Sequence, residues 1–89
     1  MEYTQEVIDR IRKTRDLTGY RKIGAELAVR WISEEATFQQ IKDIAELEAN
    51  LPGVNKWIRD QCQGGTSLET YFGFRAEVKR FWHQTKGQF

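Results

Sequence analysis

A wide apolar stripe in the segment 20–36 most constrains how this chain can fold. Its apolar residues recur at the i, i+3, i+4 and i+7 spacing of one helix face. They are Tyr20, Ile23, Gly24, Leu27, Ala28, Trp31 and Ile32. Charged residues of alternating sign follow the opposite side at intervals of four, as in Lys22, Glu26, Arg30 and Glu34. A helix with so broad an apolar face needs several partners to cover it, and the other segments are predicted to supply them.

Capping and helix-ending signals divide the rest of the chain into further helices. Thr37 followed by Gln40 has the pattern of a capping box. Pro52 is expected to end the helix that begins at Thr37, because proline disfavours a helical residue before it. Gly19 stands where a left-handed residue would end the first helix. The predicted helices span residues of about 4–18, 20–36, 37–51, 53–63 and 67–85.

The segment 72–79 is ambiguous because apolar and polar residues alternate there, as in a strand. Gly73 also costs a helix interior about 1 kcal/mol relative to alanine. We favour a helix, because its other residues include good helix formers and no second strand is visible to pair with it. The prediction is therefore an all-α fold, with residues 1–89 forming one compact domain of four to five short helices.

Cysteine usage and hydropathy argue against a secreted or membrane protein. Cys62 is the single cysteine among 89 residues, whereas a secreted domain of this size usually carries several. No stretch approaches the ~18 apolar residues of a membrane span, and the first residues lack the apolar run of a signal peptide. We expect a cytoplasmic protein that does not contact the membrane.

Enzyme chemistry has little support. Cys62 and His83 are the single cysteine and histidine and lie more than 20 residues apart. Cys62 is on the apolar face of its predicted helix, where thiols commonly pack as small hydrophobic groups. A zinc site requires three or four cysteine or histidine ligands. We therefore expect no enzyme activity, no cofactor and no metal.

A basic cluster between residues 10 and 22 supports nucleic-acid binding as an alternative function. Six basic residues and one acidic residue give this segment a net charge of +5, which would attract phosphates. The basic residues are Arg10, Arg12, Lys13, Arg15, Arg21 and Lys22. The whole chain is nearly neutral, with 14 basic and 13 acidic residues, and that balance is unusual for a nucleic-acid-binding protein. A solvated helix face is the other interpretation.

A helix-turn-helix is the specific DNA-binding arrangement that the sequence could form. Its second helix would be the segment 37–51, which carries one basic and three acidic residues. Phosphates would repel a helix with a net charge of −2. We therefore consider this arrangement unfavourable.

The last predicted helix combines basic residues with a surplus of aromatic rings. Arg75, Lys79 and His83 fall near one line at helical spacing. Tyr71 and Phe72 are adjacent and so point about 100° apart. One buried helix face therefore cannot cover all the rings, and those left exposed could form an interface. The alternative is a small core filled mainly with rings.

The sequence favours a small interaction or regulatory protein of the adaptor or inhibitor type. Its partner would be another protein or a second copy of itself, in a homodimer. An uneven distribution of charge suits the orientation of a protein partner, and equally suits complementarity between packed helices. The candidate contacts are Tyr20, Tyr71, Phe72, Arg75, Lys79 and His83.

Overall fold

The computed structural model describes residues 9–11, 13, 19–63 and 65–85. Within these residues it contains four α-helices, which are α1 (Gly19–Glu34), α2 (Phe38–Leu47), α3 (Pro52–Gln61) and α4 (Leu68–Thr85). Residues 9–11 and 13, here called the N-terminal segment, are helical as well. No described residue lies in a strand. The all-α prediction is therefore confirmed, and residues 72–79 are part of a helix.

α1 is buried on two sides, and α4 packs against both α1 and α2. On one side Leu27 and Trp31 join the main core, to which α2, α3 and α4 also contribute. On the other side Ala25 and Val29 form a second cluster with Ile11 of the N-terminal segment. The buried residues of the main core are Leu27, Ala28, Trp31, Ile41, Ile44, Val54, Ile58, Phe74, Val78, Phe81 and Trp82.

Two glycines allow α1 and α4 to cross at close range. A Cβ atom added to Gly24 would lie 1.9 Å from the carbonyl oxygen of Thr70, and one added to Gly73 would lie 2.2 Å from the carbonyl oxygen of Arg21. Neither position has room for a side chain, because the obstacle in each case is backbone. The unfavourable glycine within α4 is thus explained by helix packing.

The end of α2 differs most from the sequence prediction. α2 ends at Leu47 and not at residue 51, because Glu48 adopts a left-handed conformation with φ of 51°. The amide of Ala49 then donates to the carbonyl oxygen of Asp43 at 3.1 Å. Leu47, the last residue of α2, is 73% exposed at this helix end.

The other bounds of the described helices differ from the prediction by at most two residues, and the last helix ends at residue 85 as predicted. Gly19 is the first residue of α1, so it is not the left-handed end of a preceding helix. Pro52 does not end α2 but is the first residue of α3, since proline lacks an N–H group that the first turn would leave unbonded anyway. The predicted helix 4–18 lies mostly outside the described residues. None of the described helices is long and apolar enough to cross a membrane.

Candidate functional site

A groove of about 400 Å³ runs between α3 and α4. The two helices contact each other through Trp57 and Phe74, whose ring centroids are 6.5 Å apart. The groove is lined by Asn50, Asn55, Arg59, Leu68, Tyr71, Phe72 and Arg75. It brings together three of the six predicted contact residues, namely Tyr71, Phe72 and Arg75.

The α4 wall of the groove presents apolar side chains to solvent. Leu68 is 71% exposed and Phe72 is 51% exposed. Both positions follow from the helical period, because Phe74 and Val78 on the same helix are buried in the main core and point in another direction. Tyr71 is half-buried, and its hydroxyl oxygen accepts a hydrogen bond from Thr66 at 3.3 Å.

Two guanidinium groups supply the charge of the groove. Arg75 donates through Nη2 to Oδ1 of Asn50 at 3.3 Å, and the side-chain amide of Asn55 donates to the same oxygen. Arg59 is exposed on α3. Neither guanidinium group forms an ion pair with a carboxylate of the described residues. Each retains N–H donors that a bound anionic group could accept from.

Lys79, a further predicted contact residue, is engaged within the molecule. Its Nζ donates to Oε1 of Glu48 at the end of α2. This hydrogen bond and the charge of Lys79, together with the charge of Arg75, lower the pKa of Glu48 below its ordinary value of 4.5. Nε1 of Trp82 likewise donates to Oε2 of Glu46 at 2.8 Å. Acidic residues of α2 and donors of α4 are therefore complementary inside one chain.

Tyr20 and His83 lie away from the groove. Tyr20 is 55% exposed at the start of α1, where it lines a separate shallow depression with Gly19 and Ile23. His83 is exposed near the end of α4. The six predicted contact residues thus do not form one site.

Two members of the basic cluster between residues 10 and 22 contact carboxylates of α4. Nη2 of Arg10 lies 2.9 Å from Oε1 of Glu77, which is only 4% exposed. Nε of Arg21 lies 3.3 Å from Oε2 of Glu69. Among the other four residues, Lys13 is exposed and Lys22 is half-buried, while Arg12 and Arg15 lie outside the described residues.

No arrangement for metal binding is present in the described part of the chain, where no three histidine, cysteine or acidic side chains converge. Cys62 is partly buried against the main core.

Sequence reasoning missed four lining residues of the groove. Asn50 lies beyond the observed end of α2, although the prediction placed it inside the helix 37–51. Asn55 and Leu68 lie in helices that the sequence predicts, but no pattern marks either residue as a contact. Arg59 is a single charge on a short helix, and a single charge forms no cluster that sequence reasoning could detect. No sequence pattern reveals which of these side chains face one another across two helices.

Comparison of the chain with protein families, curated proteins and solved structures finds no match. The function is therefore argued from the groove itself.

Proposed function

We propose that this chain is a small, non-enzymatic interaction protein of the adaptor or inhibitor type, which binds another protein through the groove between α3 and α4. One observation carries the proposal: the exposed side chains of Leu68 and Phe72 share a groove with two guanidinium groups. Aromatic residues and arginine are the residue types most enriched where proteins bind one another. A cytoplasmic location belongs to the same proposal and is supported by the single cysteine.

Nucleic-acid binding through the segment 10–22 has weaker support. Arg10 and Arg21 contact Glu77 and Glu69, so phosphates would have to compete with carboxylates that are already in place. The partly buried pair of Arg10 and Glu77 would be the more costly to separate, because it leaves an uncompensated charge inside the protein.

The test is affinity capture with the tagged chain from a lysate of the cells that produce it, run once with nuclease and once without. The groove variant is Leu68→Ala with Phe72→Ala. The matched control is Leu47→Ala, since Leu47 and Leu68 are exposed to a similar extent, 73% and 71%. Light scattering on each purified variant records the oligomeric state.

We expect a protein that is retained by the wild type and by Leu47→Ala but lost with the groove variant. If the groove variant instead converts a dimer to a monomer, the partner is a second copy of this chain. Retained nucleic acid that the groove variant does not affect would contradict the proposal.

A further inference from the structure

We infer that the occupant of the groove is an acidic segment of a partner protein, with apolar residues beside its carboxylates. This inference rests on the proposed function and adds to it the chemistry of the partner. It follows from the charges, the exposed apolar groups and the hydrogen-bonding groups that the groove brings together.

The charge around the groove is positive. Three ion pairs are formed by residues close in the chain to the lining residues. They are Lys56 with Asp60 in α3, Arg21 of α1 with Glu69 of α4, and Lys79 of α4 with Glu48. Each pair is neutral as a whole. Arg59 and Arg75 form no ion pair with a described carboxylate, although the charge of Arg75 also acts on Glu48. The fields of the two guanidinium groups add in the space between α3 and α4. A carboxylate can accept two parallel hydrogen bonds from one guanidinium group, which gives such a contact both strength and direction.

The apolar part of the groove needs a partner that is not only charged. Leu68 is 71% exposed and Phe72 is 51% exposed, so covering them removes apolar surface from water at about 25 cal/mol per Å². The amides of Asn50 and Asn55 lie on the opposite wall, and amide groups of this kind both donate to and accept from a peptide backbone.

Much of the groove is held in shape before a partner binds. Asn50 fixes Arg75 and is itself contacted by Asn55, and Thr66 fixes the hydroxyl group of Tyr71. The guanidinium group of Arg21 also lies 6.0 Å from the ring centroid of Phe72. Side chains that are already ordered lose less entropy when a ligand arrives.

A peptide fits these features better than a single-stranded nucleic acid does. Nucleic-acid sites combine stacking rings with a continuous track of positive charge along the backbone. Here the lining supplies two arginines and no continuous basic track. Beside the rings of Tyr71 and Phe72, its most exposed apolar group is the aliphatic side chain of Leu68. An aliphatic group cannot stack on a base as a ring does, but it packs well against leucine, valine or phenylalanine of a peptide.

The experiment is selection of a random dodecapeptide phage library on the immobilised 89-residue chain, followed by anisotropy titration of labelled synthetic copies of the selected peptides. The charge variant is Arg59→Glu with Arg75→Glu. Its control is Arg30→Glu with Lys42→Glu, which makes the same change of charge on exposed residues of α1 and α2. The apolar variant is Leu68→Ala with Phe72→Ala. Circular dichroism verifies that every variant is folded, and a labelled twelve-nucleotide oligothymidylate is titrated in parallel.

The inference predicts selected peptides rich in aspartate or glutamate with leucine, valine or aromatic residues between them. Their affinity for the charge variant should be about tenfold or more lower than for the wild type, because losing a charge pair that binding buries commonly costs this much. It should also fall with the apolar variant, and it should stay unchanged in the control. Raising the salt concentration should weaken the wild-type complex, because it screens the attraction between opposite charges. It should not weaken the residual binding of the charge variant, where it screens a repulsion instead.

Other outcomes separate this inference from the proposed function. Peptides that lose binding with the apolar variant but are not enriched in acidic residues would overturn the acidic partner and leave the groove as a protein-binding site. Selected peptides that bind every variant equally, or no selected peptide at all, would contradict both. A last outcome is that oligothymidylate is bound more tightly than any selected peptide and loses its binding in the charge variant. That result would identify a nucleic acid as the occupant of the groove.

Discussion

Gly24 and Gly73 determine how closely α1 and α4 approach each other. A methyl group at Gly24 would lie 1.9 Å from the backbone oxygen of Thr70, and backbone atoms of packed helices cannot move aside cheaply. Gly24→Ala should therefore destabilise the protein by at least about 1–3 kcal/mol, although alanine is the better helix former by about 1 kcal/mol. The measurement is the midpoint of urea unfolding.

Gly19→Ala and Gly53→Ala are the controls for this prediction. Both glycines are helical and exposed, and a Cβ atom on either meets nothing within 4 Å. These substitutions should leave the midpoint unchanged or raise it. A Gly24→Ala variant as stable as Gly53→Ala would show that the two helices can separate without cost.

A second prediction at the scale of the residue concerns Glu48. The hydrogen bond and charge of Lys79 lower the pKa of Glu48 below 4.5, so Lys79→Gln should raise this pKa towards that value. A group whose pKa is lowered on folding contributes stability above its ordinary pKa and loses it as the pH falls through the lowered one. Carbon-detected NMR titration of the Glu48 carboxyl group measures the shift directly.

The same pair predicts a dependence of stability on pH. The difference in urea midpoint between the wild type and Lys79→Gln should be largest near neutral pH and should shrink once Glu48 is protonated. Lys42→Gln, which removes an exposed charge of α2, is the control. An unchanged Glu48 titration in Lys79→Gln would contradict the assignment.

At the scale of the element, the beginnings of helices are more predictable than their ends. Thr37 and Gln40 form the capping box that their spacing predicts, with bonds of 3.1 Å and 3.0 Å. This signal is local, because both partners lie within one turn. The left-handed conformation of Glu48 has no comparable signal, since glutamate rarely adopts it. The predicted end of α2, residue 51, is therefore four residues beyond the observed end at Leu47.

The capping box makes a prediction of its own. Thr37→Ala removes the acceptor for the amide of Gln40 and should cost about 1 kcal/mol of stability. Thr85→Ala is the control, because the hydroxyl group of Thr85 donates to the carbonyl of Phe81 at the other end of a helix and caps no amide. Equal urea midpoints for the two variants would contradict a stabilising role of the cap.

At the scale of the whole molecule, helical periodicity predicted the architecture but only part of the candidate site. The spacing of apolar residues identifies the face of α1 that joins the main core, because one face of a helix can be read from one segment. It does not identify the second buried side, formed by Ala25 and Val29. The groove depends on which residues of α3 and α4 face each other. Tyr71, Phe72 and Arg75 were found because they crowd one segment, whereas Arg59 and Asn55 become neighbours of them only after packing.

The N-terminal segment gives the last prediction. Ile11 is completely buried against Ala25 and Val29, and Arg10 lies 2.9 Å from the buried carboxylate of Glu77. If these contacts make the segment part of one cooperative unit, Ile11→Ala should cost about 2–5 kcal/mol. The slope of the urea transition should stay the same, since a two-state protein exposes the same surface on unfolding.

Ile23→Ala is the matched control, because Ile23 is 45% exposed. This variant should lose much less stability than Ile11→Ala. A fall in the slope with Ile11→Ala would mean that the segment detaches before the rest unfolds. An unchanged midpoint would mean that α1 needs only its main core, and that its second buried side contributes nothing to the stability of the fold.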